Sequence, residues 1–125
     1  MKFIHTEKAP KAVGLYSQGV LAKGETLYVS GQIPFVPETM TLVSNDIKDQ
    51  TKQSLHNVLA IVEAAGYSKN DIVRCTVYMT DLSQFTQMNE IYQEFFKDHK
   101  PARAAVEVSR LPKDVSVEID AIAVK

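Results

Sequence analysis

The chain predicts an α+β fold: a mostly antiparallel sheet backed on one face by two helices. Two stretches space their apolar residues at a helical period, several short runs alternate apolar with polar residues, and Gly, Pro and Asp cluster between them. Strands come first and then alternate with helices.

Taking the elements in order, residues 3–6, 19–22 and 26–30 are short strand-like runs, broken by Gly14 and by Lys23-Gly24. Gly31, Pro34 and Pro37 predict an irregular segment after them. Across residues 46–65, Ile47, Leu55, Val58, Leu59 and Val62 fall on one helical stripe, with Asn45 or Ser44 as the cap and Gly66 as the terminator. Residues 72–80 alternate as a strand. A second helix starts near Asp81, whose spacing to Gln84 resembles a capping box. It turns Phe85, Met88, Tyr92, Phe95 and Phe96 inward as core. After Pro101 come two further strands, 102–108 and 115–124, separated by turn material from Arg110 to Asp114.

Parity then assigns faces. Leu27, Val29, the odd positions from Val73 to Met79, and Val115, Val117, Ile119 and Ala121 pack on the helices. The opposite face carries Tyr28, Ser30, Thr76, Tyr78, Arg103, Ala105, Glu118, Ile122 and Val124. That set is too apolar for a solvated sheet surface, which predicts that a partner subunit covers it.

At 125 residues with 45% hydrophobic and 23% charged residues, the chain fits one domain over 1–125. Fourteen Lys and Arg against fifteen Asp and Glu give a formal charge of −1, and no basic block is long enough to follow a phosphate backbone, so a nucleic-acid partner is not expected. The opening MKFIHTEKAP has no apolar run for a signal or a membrane span, and the default is a cytoplasmic protein. The lone Cys75 excludes an internal disulfide and reads as core. His5, His56 and His99 lack metal-ligand spacing, so no metal is expected. Residues 14–19 contain glycines without the pattern of a nucleotide loop.

Chemistry concentrates near the carboxyl end, in PARAAVEVSRLPKDVSVEIDAIAV. Arg103 offers a permanently charged planar fork suited to a carboxylate, and Glu118, fifteen positions on, is placed by parity on an adjacent strand, where it can orient water or exchange a proton. From the residues alone the pair reads first as a structural ion pair on adjacent strands. Arg110 reads as a surface charge and Glu107 as a solvated strand residue.

Four separated motifs, GLYSQG at 14–19, VSGQIP at 29–34, QSLHNVLAIVEAAG at 53–66 and PARAAVEVSRLPKDVSVEI at 101–119, run in the order found in one family. Nearly the whole chain resembles the RidA/YjgF/UK114 family of reactive-intermediate deaminases. The resemblance implies a chorismate-mutase-like fold assembled as a homotrimer, with an inner β-barrel, outer helices and three clefts between subunits. It implies hydrolysis of 2-imino acids such as 2-iminobutanoate and 2-iminopropanoate, the tautomers of enamines like 2-aminoacrylate released by pyridoxal-phosphate enzymes, to 2-oxo acids and ammonia, with no cofactor. By the same resemblance Arg103 anchors the carboxylate and Glu118 handles water. Tyr16, Ser30, Gly31 and Asn89 line the cleft, and Ala105 contributes a backbone N–H. Leu15 departs from the proline of many relatives, an exchange expected to loosen the loop that presents Tyr16, and Ala104-Ala105 replace a Ser-Cys or Ser-Thr pair. A second reading is a 2-oxo-acid-binding regulatory or chaperone-like trimer without turnover.

Overall fold

The computed structural model describes residues 1–125 and contains a four-stranded sheet, two helices and two small strand pairs. The sheet runs in the order β3 (Thr26–Gln32), β8 (Val117–Val124), β6 (Ile72–Met79), β7 (Ala102–Glu107). β3–β8 and β8–β6 are antiparallel, whereas β6–β7 is parallel. Helix α1 (Ile47–Ala64) precedes β6, and helix α2 (Phe85–Phe96) makes the crossover from β6 to β7 that a parallel pair requires. β1 (Lys2–Ile4) pairs with β2 (Gly19–Leu21), and β4 (Phe35–Val36) with β5 (Thr41–Leu42).

Both helices cover one face. Leu55, Val58 and Val62 of α1 and Met88, Tyr92 and Phe96 of α2 join Val29, Ile72, Cys75, Val77, Met79, Val117, Ile119, Ala121 and Ala123 in one sixteen-residue core with Ile47. The alternation read from β6 and β8 therefore holds for these two central strands, with one exception. A bulge between Ile72 and Arg74 shifts the phase, so Ile72 rather than Val73 takes the end position in the core.

Local chemistry corrects three expectations. The cap of α1 is Asp46, not Asn45 or Ser44: its carboxylate accepts from the Asp49 N–H at 3.0 Å. Ser44 supports it, accepting from the Asp46 N–H and donating to the Asp49 carboxylate, both at 3.0 Å. Gly66 ends the helix at φ +83°, where a Cβ is disfavoured. At the second helix Asp81 accepts from the Ser83 N–H at 2.9 Å, capping a 3-10 turn at Leu82–Gln84 that feeds α2 at Phe85, so Gln84 does not close a capping box with it. Glu107 holds the same turn by accepting from the Leu82 N–H at 2.9 Å. Finally, the segment expected to be irregular is largely ordered: Gly31 and Gln32 remain in β3, with a register shift between Val29 and Gln32, and Pro34 and Pro37 flank β4 of a tight strand pair.

The correction with most consequence concerns β7. Arg103 lies beside Cys75 and Ala105 beside Val77 in the parallel register. Cys75 and Val77 face the helices, and so do Arg103 and Ala105. Glu118 lies opposite Tyr78 on the other face. Moreover β6 stands between β7 and β8. Within one chain Arg103 and Glu118 are neither on adjacent strands nor on the same face, because β7 takes its direction from the α2 crossover and not from the turn that precedes β8.

Candidate functional site

Arg103 projects from the first turns of an edge strand into a box of aromatic rings. The loop that carries Tyr16 is tied to the head of β7: the Ser17 N–H donates to the Pro101 carbonyl at 3.3 Å and the Ser17 hydroxyl to the Lys100 carbonyl at 2.6 Å. Gln18 braces the loop from behind, accepting from the Thr6 N–H at 2.6 Å and donating to the Thr6 and Pro10 carbonyls at 3.0 and 2.8 Å. These bonds bring the Tyr16 ring to 6.0 Å from the guanidinium carbon. α2 supplies Phe85 at 5.5 Å and Tyr92 at 4.7 Å, and the Asn89 side-chain oxygen accepts from Arg103 Nη1 at 2.7 Å. Phe85, Asn89 and Tyr92 are four and three residues apart, one face of a helix.

The guanidinium makes no ion pair. The two salt bridges of the chain are Lys48–Glu90 and Arg110–Asp114, both at the surface. Burial pulls the pKa of Arg103 down from its ordinary value, opposed most by its proximity to Tyr92. A guanidinium stays charged through such a shift, so the site holds a partly desolvated cation stacked on ring faces and lacking a counterion, the electrostatics of an anion site.

Cys75 and Tyr92 form its floor. Cys75 is fully buried, and burial pushes its thiol up to about 12. The Tyr92 hydroxyl has no hydrogen-bond partner of acceptable geometry, and burial raises its pKa also, the Cys75 thiol being its neighbour. A thiol so held has almost no thiolate at neutral pH. The folded protein is expected to resist iodoacetamide at pH 8 for hours while the denatured chain is labelled once within minutes. Mass spectrometry of native and denatured samples checks it, and rapid native labelling would contradict the buried floor.

Glu118 belongs to a second cluster on the opposite face. Its carboxyl rests against Gly31 so closely that a Cβ built on that glycine would overlap the Glu118 carboxylate and lie 2.9 Å from its carboxyl carbon. Ser30 is adjacent and exposed. Across the strand pair stands Tyr78, whose hydroxyl donates to Asp120 at 3.2 Å. Burial, and then the charge of Asp120, raise the pKa of Glu118 from its ordinary value. Tyr16, Asn89, Arg103 and Ala105 thus gather on the helix side, and Ser30, Gly31 and Glu118 on the bare side. No cavity of the single chain joins them: the largest hollow, about 560 Å³, lies between residues 68–70 and 95–99.

The family model described as Endoribonuclease L-PSP matches residues 6–125. A RutC family protein of Pyrococcus horikoshii is 58% identical over 122 residues, covering 98% of this chain and 96% of that one. This chain is a member of the RidA/YjgF family. The E. coli protein named "Putative reactive intermediate deaminase TdcF" is 50% identical over 99% of this chain and 97% of its own, and its crystal structure with bound serine superposes with a TM-score of 0.78. The E. coli YjgF gene product, 51% identical, gives the same TM-score and covers 100% of this chain and 99% of its own.

Two features of this RidA/YjgF member were hidden from sequence reasoning. Phe85 and Tyr92 were read as core, although they also form the platform under Arg103; their spacing around Asn89 was the available signal. Asp120, beside Glu118, carried no motif to mark it. Leu15 packs against the core, and the bonds of Ser17 tie the loop of Tyr16 to the head of β7.

Gly31 offers a local test. The carboxylate that an added methyl would strike is the free end of a flexible side chain, so Gly31→Ala is expected to leave the melting temperature within a few degrees of wild type while turning the Glu118 carboxylate away. A displacement of about 1 Å at a reacting group costs up to about 100-fold in rate. Thermal unfolding and turnover measured together check this, and full activity with a displaced carboxylate would remove Glu118 from the chemistry.

Proposed function

We propose that this protein hydrolyses small 2-imino acids, including the imines derived from 2-aminoacrylate, to 2-oxo acids and ammonia, in clefts between the subunits of a homotrimer. The observation that carries the reading is Arg103: a half-buried cation without an internal counterion, boxed by Tyr16, Phe85 and Tyr92. The bound serine of the TdcF crystal structure supports an amino-acid-sized ligand with a carboxylate.

In this mechanism the guanidinium takes both carboxylate oxygens of the imino acid, and the apolar rings exclude water from one side of it. Glu118 of the partner subunit accepts a proton from water as its oxygen adds to C2 and forms the carbinolamine. The same proton passes from Glu118 to the nitrogen; the carboxylate next takes the proton of the carbinolamine hydroxyl and gives it to the amino group, so that the C–N bond breaks, ammonia leaves, the carbonyl forms and the carboxylate is regenerated. Imine and water thereby become 2-oxo acid and ammonia. The raised pKa of Glu118 brings it nearer the pH at which it must both take and give a proton.

The assay is release of 2-oxo acid from imines generated in situ by an amino-acid oxidase, with uncatalysed hydrolysis subtracted. Acceleration supports the deaminase reading. Saturable binding of 2-oxo acids without acceleration would make this a ligand-binding relative. The ribonuclease in the family model's description is less favoured here: the formal charge is −1, and the central cation is recessed among aromatic rings.

A further inference from the structure

The bare face of the sheet holds a pair of carboxyl groups that the proposed chemistry uses only in part. Glu118 and Asp120 lie two residues apart on β8 and so project from the same face, about 6.7 Å apart along the strand. Asp120 is not free to swing away. Its two oxygens accept separate bonds, from the backbone N–H of Thr76, directly across the strand pair, and from the hydroxyl of Tyr78, both at 3.2 Å. Tyr78 is itself the cross-strand partner of Glu118, so its ring stands beside Glu118 while its hydroxyl leans back to Asp120.

The elements packed around this pair bring little opposing charge to it. β8 contributes only the two acids on this face, and β6 contributes Thr76, Tyr78 and, opposite Ile122, the exposed Arg74. Arg74 is two residues from Thr76, the partner of Asp120, and four from Tyr78, the partner of Glu118, about 7 and about 13 Å along the strand, and it forms no salt bridge. β3 contributes Ser30 and Gly31, with Tyr28 opposite Ile122. Both helices lie on the far side. Within one chain no cation faces Glu118, and Arg74, the one cation near Asp120, makes no ion pair with it.

We propose that Asp120 is a positioning residue: clamped by Thr76 and Tyr78, it holds a fixed negative charge beside Glu118 and governs when that group is protonated. The fixed charge acts alongside burial in the same direction, making the Glu118 proton harder to lose. The kinetic consequence rests on the deaminase reading, whereas the coupling itself does not.

Asp120→Asn removes the neighbouring charge while keeping an oxygen for the Thr76 N–H, so ionised Glu118 becomes easier to form and its titration midpoint moves to lower pH. Asp120→Glu restores the charge and should bring the midpoint back towards wild type. Carboxyl ¹³C NMR of glutamate-labelled protein reads Glu118 directly in all three proteins, with Glu118→Gln assigning the resonance. The acid limb of kcat/KM for imine hydrolysis is expected to move in the same direction in Asp120→Asn. An unchanged midpoint in folded Asp120→Asn would overturn the inference, as would an active enzyme whose acid limb does not move. A shifted midpoint in a protein inert towards imines would uphold the coupling and sink the deaminase reading instead.

Discussion

Arg103→Ala is expected to lower kcat/KM for 2-imino acid hydrolysis by about 10²–10⁴-fold. Two hydrogen bonds from a guanidinium to a carboxylate contribute about 1.5–3 kcal/mol each, and every 1.4 kcal/mol is a factor of ten. No other cation stands in the box: the neighbours of Arg103 are Asn89 and the rings of Tyr16, Phe85 and Tyr92. Arg103→Lys separates charge from geometry. A lysine restores a point charge but not the planar fork or the stacking, so it should recover about tenfold over alanine and still fall short of wild type. The fold should survive both changes, because the guanidinium contributes a partly desolvated charge, not an ion pair, to the packing. Circular dichroism with steady-state kinetics decides the matter, and an alanine variant within threefold of wild type would mean that the box does not hold the substrate.

Why Arg103 sits in that box was only partly legible in the sequence. The helical spacing of Leu55, Val58 and Val62, and of Met88 and Tyr92, marked the two faces that meet the sheet, and alternation marked the inward side of β6 and β8. Such patterns are local, and burial on one face enforces them. Strand direction is not local. The run after Pro101 looks the same whether it pairs with β6 in parallel or with β8 as a hairpin, yet the first choice turns Arg103 towards α2 and the second would have turned it towards Glu118. The bulge at Ile72–Arg74 is invisible for a similar reason, since it depends on which residue of β8 lies across from it. Motif resemblance named Tyr16, Asn89 and Arg103 without placing them. Their proximity comes from Ser17 bonding the carbonyls of Lys100 and Pro101 and from the helical phase of Asn89, and both are tertiary facts.

The separation of Arg103 from Glu118 leads to the second large effect. Glu118→Gln keeps the shape of the side chain but cannot take a proton, and loss of a general base costs about 10²–10⁴-fold in kcat. KM should change little, since the carboxylate of the substrate is held elsewhere. The sharper result comes from combining the variants. In one chain the two groups lie on opposite faces with β6 between their strands, so a cleft that uses both must draw them from different subunits. Co-expressing Arg103→Ala and Glu118→Gln chains in equal amounts, each alone inactive, should give mixed trimers in which a cleft is intact whenever a chain with native Arg103 meets a neighbour with native Glu118. In a cyclic trimer assembled at random that holds for about one quarter of all clefts and for one cleft in each mixed trimer, so about one quarter of wild-type activity should return in the unfractionated protein and about one third in the mixed species. Tandem purification through two different tags isolates the mixed species, and sedimentation fixes their stoichiometry. Mixed trimers as inactive as their parents would contradict a shared cleft, whereas a stable monomer with full wild-type activity would require the two groups to act in ways their positions in the sheet do not allow.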